Sequence, residues 1–213
     1  MKHMFVVAAG SLVGVLRPTL NLVVLSVALV AGTLALTACG GPAGNNTPAG
    51  GAYGDADVAF ATGMIVHHAQ AVRMADMALA QASSSEVKEL AAAIKAAQGP
   101  DIERMSGYLT SWGMPVPETM GHTMEMTGGS MDSGMGGMMS EQDMATLSKT
   151  SGPAFDRAWL TGMTTHHQGA VTMAQAELKA GRNADAMQVA RNIMSSQTAE
   201  ITRMEGMLTS LPQ

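Results

Sequence analysis

The sequence predicts an all-α fold, a four-helix bundle made of two duplicated helical hairpins. Three observations lead there. Four long segments carry apolar and small residues at the three-and-four spacing of one helix face, short Ser-, Gly- or Pro-containing breaks divide them, and the second half repeats the first at an offset of 99 residues.

The chain opens on Lys2 and two apolar stretches, Met4 to Leu16 and Leu20 to Ala38, parted by Arg17 and Pro18. The second ends in Leu36-Thr37-Ala38-Cys39-Gly40, small residues leading into the single cysteine. This reads as a lipoprotein signal peptide over residues 1–38, cut before Cys39, whose thiol becomes the lipid attachment point. An uncleaved anchor is the alternative, because about 19 apolar residues also span a bilayer. Either way the remainder is exported, to the outer face of the cell membrane or the periplasm. The length of the leader leaves the true start codon open.

Without the leader, Lys2 and Arg17 are lost and 10 basic side chains stand against 17 acidic ones. Lys and Arg are scattered singly, which excludes a nucleic-acid partner. With Cys39 lipidated no disulfide can form, so an ordinary core of aliphatic and Met side chains must stabilise the fold.

Residues 39–54, rich in Gly, Ala, Pro and Asn, read as a flexible tether. The first hairpin repeat occupies 55–112. Its first helix, Asp57 to Ala82, places Ala61, Met64, His68, Ala71, Ala75 and Ala78 on one face, and Ser83-Ser84-Ser85-Glu86 provides a capping signal. Its second helix carries Leu90, Ala91, Ile94, Gln98, Ile102, Met105 and Leu109 in the same rhythm and ends at Trp112-Gly113-Met114-Pro115. Gly99-Pro100 predicts a kink or restart near Gln98, since proline removes a helix hydrogen bond and clashes with the preceding turn.

Residues 113–150 form a crossover rich in Met and Gly, with Met120, His122, Met124, Met126, Met131, Met135, Met138 and Met139 set among Gly, Ser and Thr. The second hairpin repeat, 151–213, has helices from Phe155 to Ala180 and from Ala186 to Leu211, broken at Gly181-Arg182-Asn183. The repeat is close: Asp57, Gly63, Met64, His67, His68, Met74 and Leu79 recur as Asp156, Gly162, Met163, His166, His167, Met173 and Leu178. Gln98, Ile102, Arg104 and Met105 recur as Gln197, Ile201, Arg203 and Met204.

The chemistry lies in Met-x-x-His-His-x-x-x-x-x-Met, present as Met64, His67, His68, Met74 and as Met163, His166, His167, Met173. On a helix, His67 and Met74 lie within about 20° of each other, flanked by Met64 and His68. Gln98, Asp101 and Met105 share a face of the second helix, as do Gln197, Glu200 and Met204. Each hairpin can thus bring a His, two or three Met and a carboxylate to one site. Of two adjacent His, about 100° apart, one is expected to face the core and the other a partner or the surface. Soft thioether sulfur selects Cu(I) or Ag(I), imidazole suits copper in both oxidation states, and hard ions would want oxygen ligands. The crossover thioethers, with His122, can wrap a Cu(I) ion in the same way. The bland alternative is that His and Met fill a core, making the chain a non-metal surface scaffold or interaction module.

Met64-Ile65-Val66-His67-His68 with Met74-Ala75, then Gln98 with Asp101-Ile102 and Met105, resembles the domain of unknown function 305 family, and the second copy resembles it again. The resemblance covers roughly residues 55–213. It implies a ferritin-like bundle, exported and often lipid-anchored, with some members binding copper in envelope metal resistance. A copper exporter or chaperone then becomes a candidate partner, and copper the cargo, not needed for folding. No Glu-x-x-His of a di-iron oxidase, no Ser-His-Asp and no free thiol is present, so no enzyme activity is expected.

Overall fold

In the computed structural model, residues 51–119 and 136–211 are described, and they form five helices: α1 (Asp55–Gln81), α2 (Ser85–Ser111), α3 (Glu141–Ser148), α4 (Gly152–Ala180) and α5 (Ala184–Ser210). Among the described residues there is no strand, and the expected all-α architecture of two helical hairpins holds. Helices α1 and α2 form the first hairpin and α4 and α5 the second; α1 packs on α4 to join them. The leader, Cys39 and most of the tether lie outside the described residues, as do Met120, His122, Met124 and Met126. No described helix is long and apolar enough to cross a membrane.

Each α1 residue assigned to the core face from spacing alone, from Ala61 to Ala78, is buried, and so are Leu90, Ala91, Ile94, Gln98, Met105 and Leu109 of α2. The turns close the hairpins by capping. Ser84 accepts from the Val87 amide at the start of α2, and the Asn183 side chain accepts from the Asp185 and Ala186 amides at the start of α5.

Two buried aspartates then tie the hairpins together. Asp57, in the first turn of α1, accepts hydrogen bonds from the amides of Arg182 and Asn183 in the other hairpin's turn, at 2.8 to 3.2 Å. Its repeat counterpart Asp156 accepts from the amides of Ser83 and Ser84, both at 2.9 Å, and from the Ser83 hydroxyl. The start of α1 therefore meets the end of α4, and the start of α4 meets the end of α1. The two first helices are antiparallel, and the 99-residue duplication becomes an approximate two-fold symmetry. Trp159 of α4 adds a third tie, donating its indole N–H to the Met74 carbonyl of α1 at 2.8 Å.

Of the kink or restart expected near Gln98 the restart is absent, and the crossover holds more structure than expected. Helix α2 runs without a restart through Gly99-Pro100. Pro100 and Ala96 are both exposed, so the ring points to solvent and the Ala96 carbonyl deprived of its amide partner is on the wet side, where water replaces the bond. The crossover also contains structure that periodicity alone did not reveal. Ser140 caps α3 by accepting from the Asp143 amide, and Met144 and Leu147, three residues apart, pack into the core.

Candidate metal centre

Where α1 crosses α4, the paired-histidine motifs meet. His67 and His166, equivalent residues of the two repeats, stack with ring centroids 3.8 Å apart and planes tilted by 39°. Residues related by the duplication can touch only where the symmetry axis passes between the helices, and the first histidine of each motif occupies that place. The second turns toward its own hairpin partner. His68 Nε2 stands 3.8 Å from an Asp101 carboxylate oxygen, and His167 Nε2 lies 2.7 Å from Glu200. All four imidazoles are fully buried, so of the two alternatives for the second histidine, a partner or the surface, the structure has the partner. Burial is possible because α2 and α5 each bring a carboxylate over the second ring.

The layer is polar and poorly satisfied. Both ring nitrogens of His67, His68 and His166, Nδ1 of His167, and the side-chain carbonyl oxygens of buried Gln98 and Gln197 lack hydrogen-bond partners. Leaving such a group unpaired in a protein interior costs about 1–3 kcal/mol. Burial drives the His67 pKa down to about 3, and the neighbouring His68 lowers it further; the Gly136 backbone, beside the ring but short of good hydrogen-bond geometry, opposes this. Burial also lowers His166 well below the usual range, with His67 the next cause, and lowers His68 against the pull of Asp101. These three rings are neutral at pH 7 and keep a lone pair for a ligand.

The methionines flank this layer on both sides, in a grouping different from the expected one. Met64 and Met105 of the first hairpin share one buried cluster with Met173 of the second; Met163 and Met204 of the second share the other with Met74 of the first. Each cluster thus borrows one thioether across the hairpin boundary, because antiparallel α1 and α4 set the start of one motif beside the end of the other. Among the described residues, no group of three or more His, Cys, Asp or Glu is arranged to hold a metal ion. An ion here would need thioether or amide ligands as well as imidazole, which favours a soft d¹⁰ cation over a hard one.

Other buried polar residues escaped the sequence reading. Gln70 clamps the crossover by donating to the Met139 carbonyl at 2.9 Å and accepting from the Met139 amide at 2.8 Å. Glu177, 1% exposed, sits beside Asp57, and burial followed by that carboxylate raises its pKa to about 8. Asp57, held by the Asn183, Gly54 and Arg182 amides against the opposing effect of its burial, is lowered. The signal was there in the repeat: Gln70 and Glu177 stand where the other copy has Gly169 and Ala78.

Residues 57–208 match the family model described as a domain of unknown function, DUF305. The chain belongs to the DUF305 family. Among solved structures of the family, a DUF305 fragment from Deinococcus radiodurans is 33% identical with a TM-score of 0.64, covering 74% of this chain and 98% of its own. A DUF305 protein from Streptomyces coelicolor, described by its name as a secreted protein, is 32% identical with a TM-score of 0.63, covering 73% and 93%. CopM in its Cu(II)-bound form is 31% identical with a TM-score of 0.60, covering 72% and 96%, and CopM has also been solved with Cu(I) and with Ag. No curated protein matches the chain.

Proposed function

We propose that this DUF305 protein is an exported copper-binding protein, anchored by a lipid on Cys39, that sequesters or delivers Cu(I), and Ag(I) by the same chemistry, through its histidines and methionines. The observation that carries the reading is the buried His67–His166 pair, whose ring nitrogens have no partner while thioethers pack on either side of the layer. A core that needed only to be apolar would not keep four imidazoles there, given what unpaired buried polar atoms cost. The copper- and silver-bound forms of CopM, at about 30% identity, support the same ligand chemistry. The ligands assigned to it are Met64, His67, His68, Met74 and Met105 with Met163, His166, His167, Met173 and Met204; Asp101 and Glu200 orient the second histidine of each pair. Met120, His122, Met124 and Met126 of the crossover are further ligand candidates. The protein binds and does not catalyse; an exporter or chaperone would be its protein partner.

The test is a Cu(I) titration of residues 40–213 against a competing chelator. Tight, saturable binding that weakens at least about tenfold on His67→Ala with His166→Ala is expected, since each 1.4 kcal/mol of lost ligation is a factor of ten. Unchanged affinity in that variant refutes the ligand assignment, and no binding by the parent chain leaves the surface scaffold as the better account. For the anchor, metabolic labelling with a fatty-acid analogue is expected to mark the parent full chain and not its Cys39→Ala variant, which should also keep its leader.

A further inference from the structure

The crossover returns to the bundle through residues 136–140, and this strap has one seat. Gly137 takes φ +87°, and a Cβ there would fall 2.4 Å from the Thr165 carbonyl oxygen of α4. A Cβ on Gly169 would fall 1.7 Å from the Gly136 carbonyl oxygen. The strap therefore lies backbone to backbone on α4, while Gln70 grips the Met139 amide and carbonyl from α1. The seat cannot exist twice, because Gln70 and Gly169 occupy equivalent positions of the two repeats and the strap needs one of each.

What the seat positions is the Met139 side chain. Its Sδ lies 3.1 Å from where a Cβ of Gly162 would be, and Met74 Cε lies 3.7 Å from the same point. The ends of the two methionine side chains, the Met139 sulfur and the Met74 methyl, meet at a notch in α4 that exists only because residue 162 has no side chain. Met74 is fully buried and Met139 only partly so, and both pack on the cluster that holds Met163. One member of the pair is thus within reach of solvent and the other is in the core.

We propose that Met139 and Met74 form a further soft-metal site at the Gly162 notch, binding Cu(I) or Ag(I) through paired thioethers, with Gln70 as the residue that positions Met139. The site rests on the reading of the chain as a soft-metal binder and extends it by a ligand outside the duplicated motif. Thioether sulfur is a weak acceptor toward hydrogen-bond donors and a good ligand toward polarizable d¹⁰ cations, so two of them at one notch discriminate by softness and not by charge.

The experiment uses the full chain labelled with ¹³C at the methionine methyl groups and titrated with Ag(I), with His ring resonances followed in parallel. The Met139 and Met74 methyl signals are expected to move together at the same Ag(I) ratio. Met139→Leu, close in volume and at the rim of the cluster, should remove the part of the Met74 response that tracks Met139 and lower the saturating stoichiometry, while the His67 and His166 rings, and whatever Met74 shift accompanies them, still respond. Gly162→Ala, which keeps both thioethers but fills the notch, should weaken the same response. A Met74 shift that persists unchanged in Met139→Leu, or a Met139 signal that never moves while the His rings do, overturns this site and leaves the central layer standing. Silence of both His and Met signals overturns the two together.

Discussion

The pH dependence of stability separates the buried imidazoles from the buried carboxyl pair, because the two act in opposite directions over the same range. His67 titrates at about 3 in the fold against 6.5 when unfolded. Between these values the unfolded chain binds the extra proton, so stability is fully present above 6.5 and lost as pH falls. From pH 7 to pH 5 this amounts to about 2 kcal/mol for His67 alone, at about 1.4 kcal/mol per unit. His166 and His68 shift in the same direction and add to it. Glu177 is held protonated to about 8 against 4.5 when unfolded, so its contribution is complete below 4.5 and lost as pH rises toward 8. Over the same two units it opposes His67 by a similar amount, about 2 kcal/mol. Asp57, lowered from the ordinary carboxylate value of 3.8, acts only at more acid pH, outside the range. Urea unfolding of the metal-free protein at pH 5, 6 and 7 resolves the two. Glu177→Gln should gain stability as pH rises, by about 2 kcal/mol or more across the range, while His67→Gln with His166→Gln should lose stability as pH rises. The parent chain should lie between them. Parallel profiles for all three proteins would refute the account, since they would mean that neither the imidazoles nor Glu177 change protonation on folding.

Two further perturbations test the ties between hairpins and the seat of the strap. Asp156→Ala removes the acceptor of the Ser83 and Ser84 amides and of the Ser83 hydroxyl, and is expected to cost about 3 kcal/mol in urea unfolding, because two backbone donors lose their partner. Gly169→Ala places a methyl group where the Gly136 carbonyl now rests, so amide exchange of the Met139 N–H should speed up by an order of magnitude or more while helix α2 is unaffected.

The helices were legible because their signal is local. A buried stripe repeats every three or four residues, and the Ala61 to Ala78 face could be read from spacing alone. The duplication was legible for the same reason, being a comparison of residues with residues. Partnership across the hairpins was not. Met74 and His67 share a face of α1, which made a common site within one hairpin the natural reading, yet Met74 shares its buried cluster with Met163 and Met204. That outcome is decided by the direction in which α4 crosses α1, and periodicity carries no information about crossing direction. Helix α3 was hidden by its short length and by the Met- and Gly-rich composition before it, although Ser140-x-x-Asp143 followed by Met144 and Leu147 is a capping signal with a short apolar stripe.

Departures from the repeat carry different information from its matches. Positions that agree between the copies, Asp57 with Asp156 and His67 with His166, build what the symmetry allows twice or places on its axis: two turn locks and one imidazole pair. Positions that disagree mark what happens once. Gln70 against Gly169 gives the strap its single seat, and Glu177 against Ala78 puts a second carboxyl beside only one of the two turn locks. A duplicated hairpin with a symmetric core thus acquires a distinguishable front and back. If the central layer takes up a metal ion, the strap makes the routes past Gly162 and past Gly63 chemically unequal. A half-buried thioether is fixed over the first, and no strap residue can be seated over the second in the same way, because position 70 carries Gln where the seat requires Gly.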